Sequence, residues 1–213
     1  QIGELLSKGF LASLNYYDLT SIDLRRVRSN STGADYDEKS LVAEYERSGF
    51  YDKLSNTVIN VMHPKSGVPR KGILVFTAFR KESENLVCKL QSLGVEAAIV
   101  TCDTPKKERE NVLDRFKKGE IKVVSNCGTL TTGFDYPELD TIILARPTKS
   151  LALYYQMVGR AIRPSINKEG WVVDLAGNYR RFGNVADLYI ARPPGTTRWD
   201  VYSRGRQLTS TML

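Results

Sequence analysis

From Ile73 to Leu175 the chain alternates short, mostly apolar runs with amphipathic helical stretches, and few architectures accept that pattern. Ile73–Thr77 (Ile-Leu-Val-Phe-Thr), Ala97–Val100, Ile121–Ser125, Thr141–Ala145 and Trp171–Leu175 read as strands. A short strand that is apolar at successive positions needs cover on both faces, which a parallel sheet between two layers of helices supplies. The intervening segments fit those helices. Lys81–Leu93 puts Leu86, Leu90 and Leu93 on one face and has Gly94 just past its end. Thr104-Pro105 opens the next helix with a capping hydroxyl and a first-position proline, Val112 and Phe116 supply its buried side, and Gly119 ends it. The expected fold is α/β, a parallel sheet with helices on both faces.

Before this unit the pattern is looser. Ile22, Leu24 and Val27 alternate with charge as in an edge strand, and Ser29–Tyr36 is small and polar, a mobile loop by composition. Helices are expected from about Tyr36 or Asp37 to Arg47 and over Phe50–Met62, with His63-Pro64 as the stop and 65–72 as a turn-rich linker. The divisions are therefore 1–70, 71–192 and 193–213. The last follows Pro193-Pro194-Gly195 and is expected to be a peripheral basic tail.

Composition narrows the class. The 213 residues leave room for one full core with a small appendage. No apolar run approaches the length of a membrane-spanning helix, so no membrane partner is expected. Cys88, Cys102 and Cys127 form no Cys-x-x-Cys pair, which argues against a metal site or a disulfide frame and fits a reducing, cytoplasmic setting. The chain opens at Gln1 with no leader-like pattern, and we expect it to be a piece of something longer. Net charge is +7, and from residue 180 onward Arg180, Arg181, Arg192, Arg198, Arg204 and Arg206 face only Asp187 and Asp200, with no lysine. Arginine without lysine leans toward phosphate or carboxylate contact.

The most informative single stretch is Leu151–Pro164. As one helix it would carry Leu151, Tyr155, Val158 and Ile162 on an apolar stripe, with Gln156, Arg160 and Arg163 on a second stripe about 140° away. No acid within the stretch pairs the two arginines, and Pro164 is the expected stop. Two guanidiniums on one rigid face, with an amide a turn earlier, suit an anion with several oxygens such as a triphosphate. A solvated polar face is the plain alternative.

Ligands of an open parallel sheet gather beyond the carboxyl ends of its strands. Three stretches meet that description: Thr77-Ala78-Phe79-Arg80, the Thr/Gly-rich Asn126–Asp135, and Arg146-Pro147-Thr148, which leads into the two-arginine segment. Gly133 allows close backbone approach, and Asp135 can accept from a ribose hydroxyl or orient an arginine.

Four blocks occur in order along the chain: Ile73–Thr77, Asp103-Thr-Pro-Lys-Lys-Glu-Arg109, Thr131-Thr-Gly-Phe-Asp135 and Gln156-Met-Val-Gly-Arg-Ala-Ile-Arg163. Together they resemble motifs of the second RecA-like domain of superfamily 2 helicases, over roughly residues 70–190. Residues 1–70 resemble the lead-in from a first motor domain. Asp174-Leu-Ala-Gly-Asn178 adds a likeness to RadD-like DNA-repair helicases, near the XPB and restriction-translocase branches. The resemblance implies a RecA-like motor that uses ATP and Mg, held mainly by a first RecA-like domain, and that binds DNA without sequence preference. It implies that Arg160 and Arg163 reach the nucleotide, with Arg163 as the arginine finger and Gln156 holding their network. Gly133, Asp135 and Gly159 would border the nucleotide, while Thr77, Arg80, Thr129 and Thr132 would contact the nucleic-acid backbone. Cys127-Gly128 stands where many relatives have Thr-Asp, a departure from the family's strand-contacting pair. No Gly-x-x-x-x-Gly-Lys-Ser/Thr occurs, and Asp37-Glu38-Lys39-Ser40 follows a polar loop and reads as a helix start instead of a metal-binding box. An RNA helicase of the same superfamily, or a helicase-like module that only binds nucleic acid, are the alternatives. Gln156, where the RNA-remodelling branch usually carries His, tilts the reading to DNA.

Overall fold

The computed structural model describes residues 2–65, 69–130, 135–165 and 168–211. The N-terminal segment supplies helix α1 (Ile2–Ser7), strand β1 (Ser13–Asp18) and helices α2 (Glu38–Ser48) and α3 (Phe50–Met62). Asp37 caps α2 by accepting from the Ser40 amide at 3.0 Å, so the Asp-Glu pair is a helix start. Gly49, at φ 64°, turns the chain straight from α2 into α3. The regular part follows as β2 (Ile73–Thr77), α4 (Arg80–Ser92), β3 (Ala97–Thr101), α5 (Lys106–Lys117), β4 (Val123–Cys127), β5 (Thr141–Leu144), α6 (Leu151–Val158), β6 (Glu169–Asp174) and α7 (Asn178–Phe182). Strands β7 (Leu188–Ala191), β8 (Trp199–Ser203) and β9 (Arg206–Thr211) close the chain.

Strands β1 to β6 form one sheet in the order β1-β6-β5-β2-β4-β3, every pair parallel. Strand β2 is buried at all of its positions because its side chains feed two cores. Ile73 and Val75 meet Leu54, Val58, Leu86 and Leu90 on one face, while Leu74 and Phe76 meet Phe116, Tyr154 and Met157 on the other. Burying each such side chain contributes about 1.5–3 kcal/mol. Helices α2 to α4 cover the first face and α5 to α7 the second, giving the RecA-like α/β architecture expected. The chain passes from β4 across β2 to β5, so strand order reverses beside β2 and opens a crevice at the carboxyl ends of β2, β4 and β5. Residues of the N-terminal segment share this core: Tyr45 donates its hydroxyl to the carbonyl of Ala145 at 2.9 Å.

Five expectations need correction. The edge strand is Ser13–Asp18, not 22–27; its tyrosines decide this, with Tyr16 stacked on Tyr179 and Tyr17 against Trp171, both at 4.9 Å. Leu24–Arg26 is a 3-10 turn capped by Asp23, and Ile22 and Val27 are turned into the core. Loop 29–36 is not loose: Ser29 and Tyr36 form an antiparallel bridge, and Asp35 is bonded to the chain after β5. The helix cap expected at Thr104 falls on Pro105, because the Thr104 hydroxyl accepts from the Thr101 amide at 2.9 Å. Helix α6 ends at Val158, not Pro164, and buries Tyr154, Met157 and Val158, while Tyr155 is 46% exposed. Tyr154 wins the inward place because its hydroxyl donates to the Gly183 carbonyl at 2.7 Å and its ring stacks on Phe182. Finally, the expected tail contains β8 and β9, which join β7 in an antiparallel sheet. Arg204 (φ 48°) and Gly205 (φ 79°) make their two-residue turn.

Candidate functional site

At the carboxyl rim, Glu82 of α4 reaches back to accept from the Ala78 amide at 3.0 Å and so fixes the turn after β2. Burial pushes its carboxyl up to about 7, partly offset by those amide bonds. Thr77 is only 1% exposed; it shares a 2.7 Å hydrogen bond with Ser83 and donates to the Asn126 carbonyl at 3.2 Å. Its expected contact with a nucleic-acid backbone is therefore corrected: the hydroxyl ties β2 to α4 and β4 and points inward. Arg80 differs. Its side chain is 62% exposed at the rim, paired with Glu84 at 2.7 Å and Asp103 at 3.7 Å.

Beyond β4, the buried Asn126 side chain accepts from the amides of Leu130 at 2.8 Å and Thr129 at 3.3 Å. Gly128 at φ 76° makes the turn between them. Thr129 stays half-buried at the surface, and its hydroxyl accepts from Arg109 at 3.5 Å while Arg109 also donates to the Thr104 carbonyl at 3.0 Å. Arg109 thus braces two rim turns, a role hidden in the sequence because it depends on which strands are neighbours. The Thr132 and Gly133 assignments lie outside the described residues. After β5, Arg146 lines a cavity of about 70 Å³ with Thr77, Asn126, Gly128 and Met157. Asn178 locks this corner, donating to the Arg146 carbonyl at 2.8 Å and accepting from the Thr148 amide at 3.0 Å.

The arginines lie elsewhere. Ser150 caps α6 at the carboxyl rim, accepting from the Leu153 amide at 3.2 Å. Eight residues of helix then run back about 12 Å toward the strands' starting ends. Beyond Val158 the bonds shorten to the i−3 pattern, with Arg160 N to Met157 O at 3.2 Å and Ala161 N to Val158 O at 3.0 Å. Pro164 then biases its predecessor away from helical geometry. Ile162 accepts from the Ala12 amide at 2.9 Å, just before β1 begins. Lys168, just before β6, donates to the carbonyls of Arg163 and Pro137 at 2.8 Å each. Arg160 and Arg163 thus sit toward the amino ends of the strands, not on the rim that carries Arg80 and Thr129. The shared-edge expectation is wrong because a crossover helix antiparallel to its strands separates its own two ends.

What links the two places is the β4–β5 connection. It leaves the rim at Gly128 and arrives at Tyr136, whose hydroxyl donates to the carbonyl of Lys117 at the end of α5, at 3.4 Å. Asp135 there pairs with the Arg163 guanidinium, their side chains 67% and 38% exposed. An acid absent from Leu151–Pro164 therefore arrives from another loop. Arg160 is half-buried, and desolvation, then the charge of Arg163, lower its pKa. Two close guanidiniums raise the local positive potential, which favours a polyanion. Gln156 is exposed one turn earlier. At Gly159 an added Cβ would stand 3.0 Å from the Tyr155 carbonyl, so the glycine permits this helix end.

The donor set fits one side of a nucleotide: guanidiniums and an amide for phosphate oxygens, without a phosphate-cradling loop in the sequence. Among the described residues no group of three metal-ligating side chains occurs, and no helix is long and apolar enough to cross a membrane.

Residues 53–165 match the family described as the helicase conserved C-terminal domain. The chain is 31% identical over 179 residues to a 51.5 kDa protein of a Lactococcus phage, covering 84% of this chain and 38% of that protein. It is 32% identical over 148 residues to a Saccharomyces cerevisiae protein carrying the name ATP-dependent helicase IRC3, covering 66% and 22%. The chain thus spans well under half the length of either relative. Among solved structures, a fragment assigned to the HsdR subunit of a type I restriction enzyme from Vibrio vulnificus superimposes with a TM-score of 0.67 at 20% identity, covering 86% of this chain and 36% of that one. With the parallel sheet, the rim crevice and the Gln156–Arg163 block in place, the chain belongs to the helicase conserved C-terminal domain family of superfamily 2.

Proposed function

We propose that this chain carries the C-terminal motor domain of an ATP-dependent DNA helicase or translocase, residues 71–192 being the motor domain and 1–70 its lead-in. Arg160 and Arg163 would meet a nucleotide, with its Mg ion, held by a first RecA-like domain. Their part is to stabilise negative charge that develops on the transferred phosphoryl group. Asp135 aims Arg163, Gln156 and Gly159 shape the approach, and Gly133 is proposed as a further nucleotide contact. Arg80 and Thr129 contact the strand's phosphates at the opposite rim, without sequence preference, and Thr132 is proposed as a further phosphate contact.

The observation that carries the reading is the Arg160–Arg163 pair set beside exposed Gln156, with Asp135 supplied by the loop that starts at the rim. Gln156 at the start of that block favours DNA over RNA. In the intact protein, Arg163→Ala should cut ATP hydrolysis by about 10³-fold or more and leave DNA affinity within a few-fold. Hydrolysis near the wild-type rate would reject the assignment. Stimulation by single-stranded DNA compared with RNA of equal length decides the polymer, and stronger stimulation by RNA would overturn the DNA reading.

A further inference from the structure

Loop 29–36 brings an acid to the basic corner after β5. The Asp35 carboxylate accepts from Arg146 Nη2 at 3.3 Å, from the Thr148 hydroxyl at 3.4 Å and from the Lys149 amide at 3.2 Å. Lys149 returns the contact, donating to the Ser29 hydroxyl and lying 5.2 Å from the centre of the Tyr36 ring. A guanidinium, a hydroxyl and a backbone N–H converging on one oxyanion form a donor set that also recognises a phosphodiester.

Three features mark the acid as exchangeable. The Arg146 and Asp35 side chains are 29% and 26% exposed, so water and ions reach the pair. The three contacts are long for charge-assisted bonds, which favour 2.7–2.9 Å. Arg146 also lines the small cavity with Thr77, Asn126 and Gly128, in the crevice between β2, β4 and β5 where ligands of such sheets collect. An incoming phosphate would leave all three donors satisfied and release the carboxylate to solvent.

We propose that Arg146, the Thr148 hydroxyl and the Lys149 amide bind a phosphate of the nucleic-acid backbone, and that Asp35 holds this place until a strand displaces loop 29–36. This rests on the reading of the rim as the strand-binding edge, and the test separates the two. Binding of a fluorescent single-stranded oligonucleotide to the intact protein is measured over a salt series, with melting temperature recorded for each variant. Asp35→Asn should bind about 3–10-fold tighter at low salt. Adding Arg146→Ala should remove the gain and lower the slope of log affinity against log salt by about one. Ser29→Ala, which only frees Lys149, should tighten binding about twofold and carries the test if Asp35→Asn fails to fold. Unchanged or weaker binding by folded Asp35→Asn, while Arg80→Ala weakens binding, overturns this proposal and leaves the rim reading standing. If neither Arg80→Ala nor Arg146→Ala alters affinity or salt slope, the rim reading fails and this one with it.

Discussion

The carboxyl rim and the arginine group at the opposite end of the strands are built on different principles. The rim is held from inside: Asn126, Thr77, Ser83 and Glu82 are buried, and most of their hydrogen bonds go to backbone of the next turn or to one another. The arginine group is held from outside, past the last turn of α6, by an exposed pair with Asp135. A surface pair of this kind fixes a side chain weakly. One end is therefore braced by its own buried side chains. The other depends on a single surface ion pair for its geometry.

The largest test of that contrast is on the weakly held side. Beside the thousandfold loss from Arg163→Ala, Asp135→Asn should lower ATP turnover about 10-fold, since it would misplace the arginine and keep its charge. Steady-state hydrolysis checks this, and equal losses for the two would make Asp135 more than an orienting group. On the firmly held side, Asn126→Ala should cost about 1–3 kcal/mol of stability, because two loop amides lose their acceptor. A denaturant midpoint equal to wild type would show that the rim is no stiffer than the arginine end.

Glu82 gives a smaller, pH-dependent effect. Its folded pKa is raised to about 7 from 4.5, so the unfolded chain releases that proton first and stability falls as pH rises from about 4.5 to 7. Asp174, raised to about 6 from 3.8 by burial, acts in the same direction. Glu82→Gln should remove the Glu82 part of this decline, at most about 3 kcal/mol, and melting temperatures at pH 5 and pH 8 would read it. Smallest is Arg80→Ala, expected to weaken single-strand binding a few-fold and lower the salt slope by about one, because each exposed phosphate contact adds little alone.

Much of the fold was legible because local signals agreed. The runs at 73–77 and 97–100, the Asp37 cap and the glycines at 94 and 119 need no tertiary information. Several failures share a cause: they were decided by a partner distant in sequence. Tyr16 chose the edge strand by stacking on Tyr179, Tyr154 turned α6 by reaching Gly183, and Asp35 settled its loop by finding Arg146. The Gln156–Arg163 spacing picked out two arginines on one segment, but not which end of the sheet they occupy. Helical periodicity predicts which residues share a face, and says nothing of where a helix stops when glycine and proline lie close behind.

The eight residues of α6 join the corner occupied by Asp35 to the guanidiniums beyond Gly159. A rod that short does not bend appreciably, so a shift of a few tenths of an ångström at Ser150 would be delivered at its far tip. Lengthening it by one residue would swing everything downstream by about 100°, so the Asp35 corner and the guanidiniums would each stay intact while losing their fixed mutual orientation.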